Sequence, residues 1–136
     1  AVMARVGQAD VFIGVAAVAD FRPRHAADQK LKKGPGTTLT LELEQNPDIL
    51  SEVASLPAAP FCVGFAAESQ NLAAYAEDKR LRKRLPLVVG NLVQEGMGGD
   101  ENTVTLFDQD GAHPLPRASK QAVAAAIVRH MATMLG

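Results

Sequence analysis

Three short apolar runs without polar alternation, Asp10 to Ala19, Phe61 to Ala67 and Leu87 to Asn91, constrain the fold more than anything else in this chain. A strand that is apolar on both faces must be covered on both, as in a parallel sheet flanked by helices. The segments around these runs have helical character. Asn46-Pro47-Asp48 reads as an N-cap, a proline at the first helical position and an acid in the first turn, opening a helix through about Leu56. Asn71 to Arg84 reads as a second helix, and Ser119 caps a last one whose Val123, Ile127, Met131 and Met134 form an apolar stripe. The expected fold is α/β: three-layer, Rossmann-like, with a mostly parallel sheet and helices on both faces.

Two segments depart from that pattern. Thr38 to Glu44 alternates strictly, with Leu39, Leu41 and Leu43 on one side, so a half-buried strand is expected there. After the glycine-rich stretch Gly96-Met97-Gly98-Gly99-Asp100, Thr103 to Phe107 and Pro114 to Leu115 flank Asp110-Gly111 as a late antiparallel hairpin. Val2, Met3 and Val6 sit at helical spacing before Gly7, so residues 1–8 read as the tail of a helix. A segment preceding Ala1 is therefore expected to supply neighbouring strands of the same sheet.

Net charge is −1, from 14 basic and 15 acidic side chains, so no global field draws in nucleic acid or anionic lipid. Any anion site must be local. No apolar stretch approaches the roughly twenty residues of a membrane span, and nothing at the start resembles a signal peptide. The single cysteine, Cys62, permits no internal disulfide, in agreement with a cytoplasmic location, and its apolar neighbours mark it as a core residue.

Polar residues with chemical potential sit where the apolar runs stop. Ala16-Ala17-Val18-Ala19-Asp20-Phe21-Arg22-Pro23 reads as a strand end that delivers Asp20, followed by Lys30-Leu31-Lys32-Lys33 before Gly34-Pro35-Gly36. Such a loop suits an anion bound at the carboxyl edge of a sheet, or it is simply a solvated basic loop. Glu68 and Asn91 end the next two runs and are expected along the same edge. Gly14 and Gly64 either admit a phosphate to the backbone or serve packing. The helix opening at Pro47 presents free N–H groups to an anion. Lys79 and Lys83, four apart, share a helix face, either for a polyanionic ligand or as the dipole-compensating end of a basic cluster with Arg80, Arg82 and Arg84. No G-x-G-x-x-G and no P-loop lysine is present. His25, His113 and His130 show no metal-ligand spacing, so with one cysteine a zinc site is not expected.

The order and spacing of Ala16 to Pro23, Lys30 to Lys33, Asn46-Pro47-Asp48-Ile49-Leu50 and Gly64-Phe65-Ala66-Ala67-Glu68 resemble the phosphopantothenoylcysteine synthetase (phosphopantothenate-cysteine ligase) family. In bacteria this is usually the C-terminal half of a bifunctional coenzyme A biosynthesis flavoprotein. The resemblance covers residues 1–136 as the C-terminal part of a synthetase domain, while the family's glycine-rich nucleotide loop has no counterpart here. It implies CTP-dependent ligation of 4′-phosphopantothenate to cysteine through an acyl-cytidylate, releasing pyrophosphate and then CMP, with Mg2+ assisting. A flavin would belong only to the decarboxylase domain of the full-length protein.

By the same resemblance Lys30 is the catalytic lysine. Gly14, Val15, Ala16, Asp20, Lys30, Pro47, Asp48, Ile49, Leu50, Phe65, Lys79 and Lys83 contact CTP, Asp20 is a candidate metal ligand, and Lys32 and Lys33 begin a substrate flap. Where the family usually has Ala-Asn-Asp-Val, this chain has Gly90-Asn91-Leu92-Val93, so one carboxylate is missing. A homodimer is implied, with the Thr38 to Glu44 strand and the late hairpin meeting a second subunit, and this chain alone is expected to be incomplete for catalysis. The α/β pattern by itself leaves two other readings open: a dinucleotide-binding oxidoreductase fragment, and a non-catalytic nucleotide-binding or dimerisation module.

Overall fold

The structure, a computed structural model, describes residues 1–30, 36, 38–93 and 99–136. The chain divides into two compact units, Ala1–Val15 with Ile49–Gly136, and Ala16–Asp48. After a short 3-10 turn at Val6–Gln8 come β1 (Val11–Gly14), β2 (Phe21–Pro23), β3 (Leu43–Gln45), α1 (Ile49–Ala54), β4 (Phe61–Glu68), α2 (Leu72–Arg82) and β5 (Leu87–Leu92). They are followed by β6 (Glu101–Asn102), β7 (Thr105–Asp108), β8 (Gly111–Pro114), β9 (Ala118–Ser119) and α3 (Lys120–Leu135).

The larger unit is built on a five-stranded sheet in the order β1-β4-β5-β7-β8. β1, β4 and β5 run parallel, and β7 and β8 are antiparallel additions. The expected α/β class is thus found, and its physical cause is the double burial of the parallel strands. On one face Cys62 and Ala66 of β4, Val88 of β5 and Phe107 of β7 pack with Val53 of α1 and Ala76 of α2. On the other, Val63, Leu87, Val89 and Leu106 pack with Val123, Ile127 and Met131 of α3. The apolar stripe read in the last helix is this second contact, and Ser119 Oγ accepts the Ala122 N–H at 3.2 Å as its cap.

Two glycines set how closely the helices approach the sheet. A Cβ at Gly64 would lie 2.8 Å from Leu85 Cδ1 and 3.0 Å from Leu50 Cδ2. One at Gly90 would lie 2.9 Å from the Phe107 ring and 3.0 Å from Leu72 Cδ1. For Gly64 the packing alternative therefore accounts for the residue: it seats Leu50 and Leu85. Cys62 is buried with its Sγ on the Pro60 carbonyl at 3.3 Å, and burial pushes its thiol pKa up, as a core residue requires.

The smaller unit is held by an antiparallel ribbon in which Phe21 pairs with Gln45 and Pro23 with Leu43. The Arg22 guanidinium meets the Glu44 carboxylate at 2.7 Å. Asn46 closes the ribbon, its backbone N–H donating to Asp20 O at 2.8 Å and its side-chain amide to Ala19 O at 2.7 Å.

Several expectations change. The first strand stops at Gly14 rather than Ala19, because the Val15 N–H turns back to Ile13 O at 3.2 Å and the chain leaves the ladder. Within residues 1–8 the helical part is only the 3-10 turn at Val6–Gln8, not the tail of an α-helix. The alternating Thr38 to Glu44 segment is regular only at Leu43–Gln45, and Leu39, Leu41 and Leu43 are 70%, 61% and 56% exposed rather than half-buried. Asn46 anchors the ribbon, and α1 begins only at Ile49. The late hairpin is present, but it is part of the sheet, with Leu106 and Phe107 buried.

The C-terminal end of α2 generates a stability prediction. Leu85 N–H bonds Arg80 O at 2.8 Å and Arg84 N–H bonds Leu81 O at 3.2 Å, the paired bonds of a Schellman motif, with Arg84 at φ 54 in the place glycine usually takes. An L-residue there is strained. Arg84→Gly should raise stability by about 0.5–1 kcal/mol, read as a higher urea midpoint at unchanged slope. A lower midpoint would mean that the arginine side chain contributes more than its backbone costs.

Candidate functional site

The parallel strands differ in length, and that difference creates the site. β1 ends on the Gly14↔Gly64 rung, while β4 continues to Glu68 beside β5. From Phe65 onward, therefore, β4 has no β1 residue beside it. Over this step sits the first turn of α1: Leu50 Cδ1 would be 3.4 Å from a Cβ on Gly14, an ordinary contact, and Ile49 and Leu50 both pack on the adjoining core. The first turn of α1 thus packs directly over the end of β1, at a distance that even a Cβ at position 14 would tolerate. Val15, the next residue, is 62% exposed.

Lys79 comes to the same place from α2. Its Nζ donates to the Phe65 carbonyl at 2.5 Å, one residue beyond the last β1 rung. Phe65 itself is half-buried and packs on the α3 side of the sheet. Lys83 lies one helical turn beyond Lys79, half-buried at the end of α2, with its N–H on Lys79 O at 3.1 Å. The basic cluster on this helix separates into two kinds of residue. Arg80 forms a two-pronged bond to Glu77 at 2.7 and 2.8 Å, which holds the Glu77 carboxyl below the usual carboxylate range. Arg82 reaches the exposed Asp78 at 3.4 Å, a contact of little energetic consequence. Dipole compensation thus accounts for arginines paired along the helix, whereas Lys79 crosses to the sheet.

In the larger unit Gly14, Ile49, Leu50, Phe65 and Lys79 are brought together around the end of β1, with Val15 and Lys83 on flanking positions. Ala16, Asp20, Lys30, Pro47 and Asp48 belong to the smaller unit. Asp20 is not at the carboxyl end of β1, as the sequence suggested, because that strand ends earlier; it sits at the entrance to β2 with its carbonyl held by Asn46. Its side chain and that of Lys30 are exposed. Pro47 and Asp48 precede α1 rather than forming its first turn. Lys32 and Lys33 lie outside the described residues, as does most of the glycine-rich stretch. Glu68 ends β4 and Asn91 is the penultimate residue of the neighbouring β5, opposite Ala67 and with its amide on Leu92 O at 3.2 Å.

One polar cluster escaped the sequence reading. His113 and His130, too far apart in the chain to suggest a pair, both reach the carboxylate of Asp108. Neither β1 nor Lys79 takes part, since β7 is separated from β1 by β4 and β5.

Residues 1–135 match the family described as DNA/pantothenate metabolism flavoprotein C-terminal domain. The chain is 44% identical over 133 residues to the Coenzyme A biosynthesis bifunctional protein CoaBC of Vibrio cholerae, a match covering 94% of the chain and 33% of that protein. With the CoaBC of Escherichia coli K12 it shares 45% identity over 127 residues, 89% of the chain and 31% of the relative. The chain thus spans about a third of the length of these relatives. Among solved structures, the crystal structure of the C-terminal domain of CoaBC superposes with a TM-score of 0.77 at 31% identity, covering 98% of this chain and 59% of that one. The Cab2 mutant H337A in complex with phosphopantothenate-cysteine, at 22% identity, a TM-score of 0.61, and coverage of 88% of this chain and 44% of that one, shares the fold. With the family match running over residues 1–135, the chain is a member of the DNA/pantothenate metabolism flavoprotein C-terminal domain family.

Proposed function

We propose that this chain is the nucleotide-binding, C-terminal part of a phosphopantothenate-cysteine ligase acting in coenzyme A biosynthesis. The observation that carries the reading is its 44% identity to a CoaBC protein across 94% of its length. In this reading CTP activates the carboxylate of 4′-phosphopantothenate as an acyl-cytidylate with loss of pyrophosphate, and the cysteine amine then displaces CMP. The chain works as part of a longer cytoplasmic enzyme whose decarboxylase domain is its covalent neighbour.

Two anionic reactants must meet for this reaction, so cations have to be in place beforehand. Lys79 is already oriented by its bond to Phe65 O, and Lys83 lies on the same helix face. Both contribute to phosphate binding in this proposal, at the strand end marked by Gly14, and the family resemblance adds Phe65 to the nucleotide contacts. Lys30, exposed and unburdened by burial, stabilises charge growing at the α-phosphate; Lys32 and Lys33 close over phosphopantothenate. Val15, Ala16, Pro47, Asp48, Ile49 and Leu50 complete the nucleotide contacts. Asp20 fits Mg2+ in chemical type, since this ion keeps most of its waters and needs only one or two carboxylates beside the phosphates. Bound there, it would neutralise phosphate charge, while Asn46 fixes the Asp20 backbone.

The exposed apolar row of Leu39, Leu41 and Leu43, with Phe21 58% exposed on the paired strand, supports a homodimer through the smaller unit. An apolar ribbon of this kind is stable in water when a second copy covers it. The late hairpin is not needed for that contact, because its large residues are already committed to the sheet.

Calorimetric titration with CTP, ATP and NAD in the presence of Mg2+ tests the reading. CTP should bind preferentially, and Lys79→Gln should weaken it by about tenfold, near 1.4 kcal/mol. Preference for NAD, or equal affinity for all three, would overturn the assignment. In the full-length enzyme Lys30→Gln should slow acyl-cytidylate formation by about 100-fold while the melting temperature stays put; wild-type turnover would remove Lys30 from the mechanism. Sedimentation should find a dimer that Leu41→Glu dissociates, and a wild-type monomer would eliminate the proposed contact.

A further inference from the structure

Asp108 closes β7, and among the described residues it is the buried charged side chain, with its carboxyl group 3% exposed. Each of its oxygens meets a different imidazole. Oδ1 lies 2.9 Å from His113 Nε2 on β8, and Oδ2 lies 2.7 Å from His130 Nε2 on α3. The Asp110 N–H donates to Oδ1 at 2.8 Å, fixing the carboxylate plane through the hairpin turn. The two ring centroids are 5.0 Å apart with their planes inclined at 49°, so the rings are tilted instead of stacked. One donor atom from each of the three residues falls within 4.8 Å of the others.

We propose that Asp108, His113 and His130 bind one divalent transition-metal ion of the zinc class, tying the β7–β8 hairpin to α3. Two imidazole nitrogens and one carboxylate oxygen suit zinc, cobalt or nickel, whereas magnesium and calcium favour all-oxygen sets. Three protein ligands leave a fourth position for water, and the His113 and His130 side chains are partly exposed, at 39% and 21%. The carboxylate is available as an anion: burial pushes its pKa up, but the hydrogen bonds from His113, His130 and the Asp110 N–H, with the charge of His113, bring it below the usual range. Arg80 and Glu77 of α2 both feel the Asp108 charge, and they are already paired with each other. In the metal-free form each ring can present its Nε2–H to Asp108. Metal entry requires each Nε2 lone pair, so the ring proton moves to Nδ1, or is released to solvent from an imidazolium.

The outcome is read on chelator-treated protein titrated with Zn2+, and separately with Co2+, whose visible absorption reports tetrahedral nitrogen and oxygen ligation. The wild-type chain should take up one Zn2+ with a raised melting temperature and show the Co2+ bands, while Mg2+ produces neither. His113→Gln and His130→Gln, both at half-exposed positions, should each weaken Zn2+ binding by about tenfold or more and abolish the Co2+ bands. Zn2+ affinity unchanged in the double variant would place the metal elsewhere, on His25 or Cys62, and overturn the proposal. So would a wild-type chain that shows no saturable uptake, leaving the three residues as a hydrogen-bonded strut.

Discussion

Burial of β4 and β5 on both faces is the constraint from which the larger unit follows. Once Cys62 and Ala66 face α1 and α2 while Val63 faces α3, the helices have to come down on the sheet from two sides. Positions on the α1 and α2 side must then be small wherever a helix side chain meets the strand. Gly64 and Gly90 occupy such places, and Leu50, Leu72 and Leu85 fill the room they leave. The same constraint puts the start of α1 against the end of β1. A strand end, a helix start and a lysine from α2 therefore come together in consequence of packing, before any ligand is considered.

Electrostatics refines that arrangement. A net charge of −1 gives the chain no general attraction for anions, so any local positive potential comes from where its cations are held. On α2 the arginines are paired with acids of their own helix, while Lys79 reaches a backbone carbonyl of β4. That bond fixes where the ammonium group sits. The other focus of polar chemistry, Asp108 with its two imidazoles, is assembled from three elements that adjoin in space and not in sequence.

How much of this the sequence revealed depended on whether the signal was local. β4, β5, α2, the hairpin and the Ser119 cap were legible because each is written in consecutive residues: an apolar run, a helical period, a turn or a cap. β1 was read too long because Ala16, Ala17, Val18 and Ala19 continue the apolar run, although a turn at Val15 takes them out of the ladder. The same error placed Asp20 on the sheet edge. Thr38 to Glu44 has perfect alternation, yet its leucines are exposed, since alternation records which residues share a side and says nothing about what covers that side. Asp108, His113 and His130 left no linear trace at all. Their convergence is a product of tertiary structure, visible only once α3 is laid across the hairpin.

Leu50 of α1 sits over Gly14 at the end of β1, near enough to touch a Cβ built there, and this proximity has a topological consequence. It pins together the two points at which the smaller unit, Ala16–Asp48, leaves and rejoins the larger one. With those points already fixed by the core, lengthening or rewriting the intervening segment costs only the slowly growing entropy of a longer loop. The length and sequence of this insert can therefore vary while the β1-α1-β4 crossover keeps its geometry.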